Sequence, residues 1–213
     1  MHDDIRGRVI AGAMPRRSAF GWSKTMLRDL ADWLRRKPVA LRGAHRSISH
    51  SAESRFVIWA ITAVDLVTSF VVDAMIPPAY RPLHFVWVLF TLVVTVGFCV
   101  MTMRTPHLLD DHMLHLRTGP FRALAIPINQ IKSVRPAHGM TQSHGLRRSL
   151  DQDDAVACSV SSATTMALEL TEPLPVQLHK GEPIMARRVY FTADEPARAA
   201  ELIRSAMRGD LES

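Results

Sequence analysis

The chain has 213 residues, 47% of them hydrophobic and 22% charged, with a formal charge of +6, a pI near 10.0 and a mean hydropathy of +0.05. Its apolar content excludes disorder throughout, and two cysteines in so long a chain exclude a disulfide-stapled secreted scaffold. Charge and apolarity occupy different segments: residues 1 to 55 hold 12 basic and 5 acidic side chains, 56 to 103 hold Arg81 against Asp65 and Asp73, and 104 to 213 hold 13 of each sign.

The first predicted element is an amphipathic helix over Phe20 to Lys37, ended by Pro38. Trp22, Met26, Leu27, Leu30, Trp33 and Leu34 recur at helical spacing on one face, with Lys24, Arg28, Asp32 and Arg35 on the other. Tryptophan and leucine opposite Lys and Arg is the composition of a helix lying in the interface of an anionic leaflet. Trp22, Lys24, Arg28, Trp33, Arg35 and Arg36 are therefore the candidate membrane-interface residues. Clustered arginine is also an electrostatic footprint for phosphate, but the tryptophans rank lipid ahead of nucleic acid, and packing on the C-terminal domain is the structural alternative. Residues 1 to 19 and 39 to 54, rich in Arg, Ser, Gly and His, read as mobile tail and linker.

Two apolar runs follow, Phe56 to Ile76 and Leu83 to Met103, the second without any Asp, Glu, Lys or Arg. Roughly 20 such residues at about 1.5 Å rise cross a hydrocarbon core of about 30 Å. Between them Pro77, Pro78 and Pro82 stop one helix and delay the next, so the segment 56–103 is expected to be a transmembrane hairpin. Arginines and lysines flank the outer ends, and the loop carries Arg81 alone. The positive-inside rule then puts both termini in the cytoplasm of a plasma (inner) membrane protein. A first apolar run that begins after more than fifty residues argues against a secretory signal peptide. Cys99 and Cys158 are expected to be unpaired thiols.

Asp65 lies near the centre of the first run, where an acid costs about 2.5 to 3.5 kcal/mol and each Phe, Val, Ile or Leu contributes roughly 0.3 to 0.6 in return. Thr62, Asp65, Ser69 and Asp73 progress at three- and four-residue steps as one polar strip, and Thr91, Thr95 and Thr102 form another on the second run. The expectation is that the strips face each other, or a second copy, so that hydroxyls donate to carboxyls. The alternatives are a contact with a partner helix and a proton or cation relay.

After Arg104 the period changes. Short β-type runs at 107–110, 112–117, 121–127, 130–135, 155–160, 166–170, 176–179 and 188–192 alternate with turn residues such as Asp110-Asp111 and Thr118-Gly119-Pro120. So many strands in about ninety residues imply a small antiparallel β-barrel or sandwich. A closing helix follows, with Asp194 as N-cap, Pro196 in the first turn and an apolar stripe of Ala199, Ala200, Ile203 and Met207. The expected fold class is an α+β membrane protein: a cationic arm over 1–55, a hairpin over 56–103, and a cytoplasmic β domain over 104–213 capped by its C-terminal helix.

Two apolar runs followed by HLLDDHMLHLRTGPFRALAIPINQIKSV resemble the bacterial pleckstrin-homology-like domains found after membrane hairpins. TPHLLDDHMLHLRTG, with the later VSSATTMALELTEPLPVQL and VYFTADEPARAAELI, is more closely similar to a group of actinobacterial integral membrane proteins. The resemblance covers roughly residues 56 to 208 and implies fold and topology. It transfers no active-site residue, and the segment Pro136 to Asp154, read as a long loop, is where this chain departs from the pattern.

No catalytic constellation is legible. His107, His112 and His115 with Asp110 and Asp111 come nearest to a metal cluster, but neighbouring strand positions point to opposite faces and the acids sit in a turn, so solvated histidines are expected. His138 and His144 read as solvated too. Ser159, Ser161 and Ser162 lack nucleophile-elbow glycines, no phosphate-binding loop occurs, and Asp151, Asp153 and Asp154 lack the rest of a calcium loop. The expectation is a non-catalytic, membrane-anchored binding or scaffold protein without cofactor or metal. Its partners would be the lipid bilayer and either another protein or a second copy through the hairpin, with anionic headgroups as a further contact near Arg147-Arg148. The alternative is an accessory subunit of a transport or envelope-synthesis complex that uses Asp65.

Overall fold

A computed structural model describes residues 11–12, 19–39, 46–118, 122–141, 145–149, 152–178 and 183–209. The chain divides into two units: one of helices, Arg17–Val39 with Ser51–Arg104, and one mostly of strands, which takes up the remainder.

In the helical unit, α1 (Ala19–Leu34) packs against α3 (Arg81–Met103), and α2 (Ala52–Met75) forms the hairpin with α3. α1 closes in a Schellman-type turn, the Arg36 N–H donating to Trp33 O (2.9 Å) and the Lys37 N–H to Asp32 O (2.9 Å), with Arg36 in the left-handed region at φ 54°. Arg104 then ties the end of α3 to this turn, donating to Lys37 O (2.9 Å) and Pro38 O (3.4 Å). α2 begins at Ala52, four residues ahead of the apolar run, and its first turn is held by Ser54 donating to Ser51 O (3.0 Å) and by Arg55 donating to the Ser51 hydroxyl. Ile76 leaves α2 in extended backbone, Pro78–Tyr80 makes one 3-10 turn, and Pro82 sits in the first turn of α3, where a missing N–H costs nothing. Both α2 and the segment Pro78–Met103 are long and apolar enough to cross a membrane.

The strand unit holds two sheets. One is an antiparallel meander of β2 (Arg46–Ile48), β3 (His107–Leu109), β4 (Met113–Arg117) and β5 (Ala123–Pro127). The other takes β1 (Ala11–Gly12), β6 (Ile131–Met140), β7 (Gly145–Arg148), β8 (Ala155–Ser159), β9 (Ala163–Gln177) and β10 (Ile184–Phe191). Its order is β9, β10, β8, β7, with β6 and β1 both against the outer side of β9; β10 runs parallel to β8, and β1 parallel to β9. The buried halves of both sheets, among them Leu114, Leu116, Leu124, Ile126, Val156, Met166, Leu168, Val189 and Phe191, belong to one apolar core. Ala199, Ala200, Ile203 and Ala206 of α4 (Pro196–Arg208) join it.

Several sequence expectations change here. The described strands form two mixed or antiparallel sheets over a common core, as a sandwich does, and no closed barrel, because β10 pairs in parallel with β8 instead of continuing a meander. Pro136 to Asp154 is not one long loop: β6 runs to Met140 and β7 pairs with β8. Arg46–Ile48, read as linker, is a strand on β3. The expected run at 166–170 and the start of that at 176–179, as far as Gln177, are one strand, β9. The N-cap of α4 is Glu195 and not Asp194, whose backbone N–H instead donates to Ser49 O (2.9 Å). The histidine expectation fails at His107, which is wholly buried.

Candidate membrane interface and intramembrane acids

α2 and the first part of α3 present most of their apolar side chains outward, whereas Cys99, Val100 and Met101 at the end of α3 are buried. Phe56 is 74% exposed, Phe70 78% and Met75 81%, and Ile61, Val64, Val67, Leu83, Phe85, Trp87 and Phe90 are exposed as well. The core of the strand unit is the reverse, with Met140 and Met185 its only exposed large apolar side chains among the described residues. A water-facing surface of that composition would be costly at about 25 cal/mol per Å² of apolar area, whereas hydrocarbon accepts it.

The predicted interfacial residues split. Met26 of α1 is buried against Gly97 of α3, so closely that a Cβ on Gly97 would lie 2.8 Å from Met26 Cγ, while Leu27, Trp33 and Leu34 remain exposed beside exposed Lys24, Arg28, Arg35 and Arg36. The side chain of Trp22 lies outside the described residues. Lys37 pairs with Asp32 (3.1 Å), and this hydrogen bond holds the Asp32 carboxyl below its ordinary range. The result is a helix bound to the hairpin along one line and apolar along another, flanked by cations.

The polar strips do not zip together. Thr62 donates back to Ile58 O (2.8 Å), Ser69 to Asp65 O (2.7 Å), and Thr91 to Trp87 O (3.1 Å) and Val88 O (2.9 Å), so these hydroxyls satisfy their own helices. The buried Thr102 donates to Cys99 O in the same way (2.9 Å), and Thr95 is half-buried. Asp65 is exposed on α2. A polar side-chain contact between α2 and α3 joins Asp73 Oδ1 to His84 Nδ1 at 3.3 Å. His84, second in the run from Leu83, was not legible as a partner because that run lacks only Asp, Glu, Lys and Arg, and an imidazole is polar as well.

In the strand unit the histidine and acid group disperses. His107 Nδ1 accepts from the Arg117 N–H (2.9 Å), which leaves the proton on Nε2 to donate to Thr192 O (2.9 Å). Burial, with His50 stacked beside it, pushes the His107 pKa well below its ordinary value. Asp110 Oδ1 accepts from the N–H groups of His112 (2.9 Å) and Met113 (2.6 Å), and its Oδ2 lies 3.3 Å from His115 Nε2. Burial raises the Asp110 carboxyl, but these donors outweigh it and hold the group below its usual range. His112 and His138 are exposed; His144 and Asp151 lie outside the described residues. Among the described residues no three metal-ligating side chains converge. The Ser159 hydroxyl is buried, donating to Ala163 O (2.7 Å) and lying 2.8 Å from the Thr192 hydroxyl. Cys99 and Cys158 are both unpaired and buried, and burial pushes the Cys158 thiol up to about 12.

Comparison with protein-family models, with curated proteins and with solved structures gave no match.

Proposed function

We propose that the protein is a membrane-anchored, non-catalytic binding or scaffold protein: α2 and α3 cross the plasma membrane as a hairpin, both termini are cytoplasmic, and the strand unit is a pleckstrin-homology-like module offered to a protein partner. The observation that carries this reading is the inversion of burial between the two units, apolar side chains outside on α2 and α3 and inside in the sheets. α1, apolar along one line and cationic beside it, suits the headgroup layer. The resemblance of residues 56 to 208 to such modules supports the identity of the strand unit, and the C-terminal helix on its core is compatible with it.

Reporter fusions test the anchoring. A reporter active only outside the cytoplasm should be active when inserted at Tyr80 and silent at Ser213. Activity at both sites, or recovery of the protein in the soluble fraction, would contradict the hairpin. Affinity purification in mild detergent tests the partner; isolation as a monomer that binds neither lipid nor protein would contradict the scaffold reading.

A second reading has one observation in its favour. Asp65 exposes a carboxyl on α2 where the nearby Thr62 and Ser69 hydroxyls bond to their own helix, and an acid there calls for a polar neighbour from another chain. Such a neighbour would make the protein an accessory subunit of a transport or envelope-synthesis complex. Asp65→Asn should then abolish that complex's activity while leaving the protein in the membrane.

A further inference from the structure

The register of the larger sheet assembles a surface from residues far apart in sequence. Arg135 of β6 stands opposite Ala167 of β9, Ala167 opposite Tyr190 of β10, Tyr190 opposite Ala157 of β8, and Ala157 opposite Arg147 of β7. Their neighbours Val134, Leu168, Val189, Val156 and Leu146 are buried in the core, so by the alternation of strands this row faces away from it. Four steps between adjacent strands, at about 4.8 Å each, separate Arg135 from Arg147 by about 19 Å. The next row places Glu169 opposite Ser133 and Arg188, and Arg188 opposite Ala155. Arg135, Arg147 and Arg188 are exposed.

The charges on this face are unequally matched. Glu169 is taken by Lys132 (2.9 Å), which with Arg188 nearby holds its carboxyl below the usual range. Arg148, next along β7 and so turned to the other face, is taken by Asp153 (2.7 Å). Among the described residues no carboxylate pairs with Arg135 or Arg147. Between them Ala167 and Ala157 are themselves buried, and the accessible apolar surface is the half-buried ring of Tyr190, whose hydroxyl donates to Gln152 Oε1 (3.3 Å) and is thereby fixed. A fixed tyrosine amid arginines is the composition of an interface centre.

We propose that this face docks an acidic segment of another polypeptide, its carboxylates paired with Arg135, Arg147 and Arg188 and an apolar side chain set against the ring of Tyr190. The inference rests on the scaffold reading and supplies the chemistry of the partner. A polypeptide is favoured over an anionic bilayer because residues 104–213 carry 13 charges of each sign. That domain therefore has no net pull toward a charged surface and recognises by local pairing. Planar arginine forks on either side of an aromatic ring match carboxylates alternating with apolar side chains.

The test uses the full chain in nanodiscs of zwitterionic lipid and a fluorescein-labelled dodecapeptide of alternating Glu and Leu, with a Lys and Leu peptide as control, read by fluorescence anisotropy. Saturable binding of the acidic peptide alone is expected, weakening as salt rises. Arg135→Glu and Arg147→Glu should each weaken it about tenfold, the loss of one charge-assisted pair. Tyr190→Phe should leave it nearly intact and Tyr190→Ala should not. Arg135→Gln and Arg147→Gln report the same loss if a reversed charge disturbs folding, which the melting temperature reveals. Failure of the acidic peptide to saturate, or equal binding by the Arg135/Arg147 double variant, overturns the proposal. So does binding of phosphatidylglycerol vesicles or a labelled oligonucleotide through these arginines where the peptide does not bind. Because the nanodisc already holds the hairpin, none of these results touches the anchoring, which the reporter fusions decide separately.

Discussion

The imidazole of His50 stacks on that of His107, centroids 4.0 Å apart and planes 13° from parallel, and Phe191 meets His107 edge-on at 5.7 Å. His107 is wholly buried and both its ring nitrogens are committed, one accepting from the Arg117 N–H and the other donating to Thr192 O. Protonation would place a charge in an apolar site and remove the acceptor of the Arg117 N–H. Ile48, two residues before His50, is paired with His107 across β2 and β3, so the contact joins the strand that precedes α2 to the strand that follows α3.

A pH dependence of stability follows. Burial first, and then His50, hold the folded pKa of His107 well below 6.5, with the Arg117 charge adding to the effect and the bond to Thr192 opposing it. The unfolded chain therefore binds the proton more readily, and the stability due to neutral His107 is complete above pH 6.5 and lost as pH falls toward the folded pKa. The slope for one proton is about 1.4 kcal/mol per pH unit. Denaturant unfolding followed by near-ultraviolet circular dichroism between pH 7.5 and 5 should show this decline. His107→Gln should flatten it; an unchanged slope in that variant would place the effect elsewhere.

The Met26 to Gly97 contact predicts a steric test of helix packing. A methyl on Gly97 would meet Met26 Cγ at 2.8 Å and Sδ at 2.9 Å. Methionine is flexible enough to swing aside, so Gly97→Ala should be tolerated at modest cost. Gly97→Leu should overpack the site by about 1 to 3 kcal/mol and detach α1. Faster tryptic cleavage at Arg28 and Arg35 would report the detachment, and Met26→Ala in the same chain should slow it again.

How much of this was legible in the sequence depends on how local the signal is. The hairpin was plain because apolarity over twenty residues and three prolines are each properties of one segment. β4 and β5 were plain for the same reason, their burial alternating residue by residue. β9 was split in two by Pro173 and Pro175, which remove ladder donors. In the fold β6 pairs with β9 only up to Leu170 and β1 starts at Val176, so the prolines fall where no described strand flanks that side. The row from Arg135 to Arg147 was beyond reach, because it depends on β10 lying between β9 and β8 and no local pattern sets that order. Asp73 was legible as a buried-depth acid, but its partner lay across the proline turn.

The end of α1 predicts a gain in stability. Arg36 holds a left-handed conformation at φ 54° in a turn that favours glycine, because a Cβ there crowds the backbone. Arg36→Gly keeps both closing hydrogen bonds, Arg36 to Trp33 O and Lys37 to Asp32 O, and removes the crowding. A stabilisation of about 1 kcal/mol is expected, reduced by the greater freedom of glycine in the unfolded chain. Arg36→Ala retains the Cβ and should show none of it, which separates backbone relief from the loss of a positive charge. Thermal melts of the three proteins in one detergent would decide the matter.

Asp73 and His84 predict a coupling across the hairpin. Their polar side chains meet between α2 and α3 at 3.3 Å, eleven positions apart on either side of the proline turn. Truncating either leaves the other without its partner in an apolar setting, so each single variant, Asp73→Ala and His84→Ala, should destabilise the hairpin, and the double variant should cost less than their sum. Interhelical hydrogen bonds in membranes couple by about 0.6 kcal/mol on average and reach about 1.7. A double-mutant cycle by detergent titration, with helicity as readout, resolves a value in that range. Strict additivity would mean that the two side chains do not interact and that apolar packing and the proline turn hold α2 against α3.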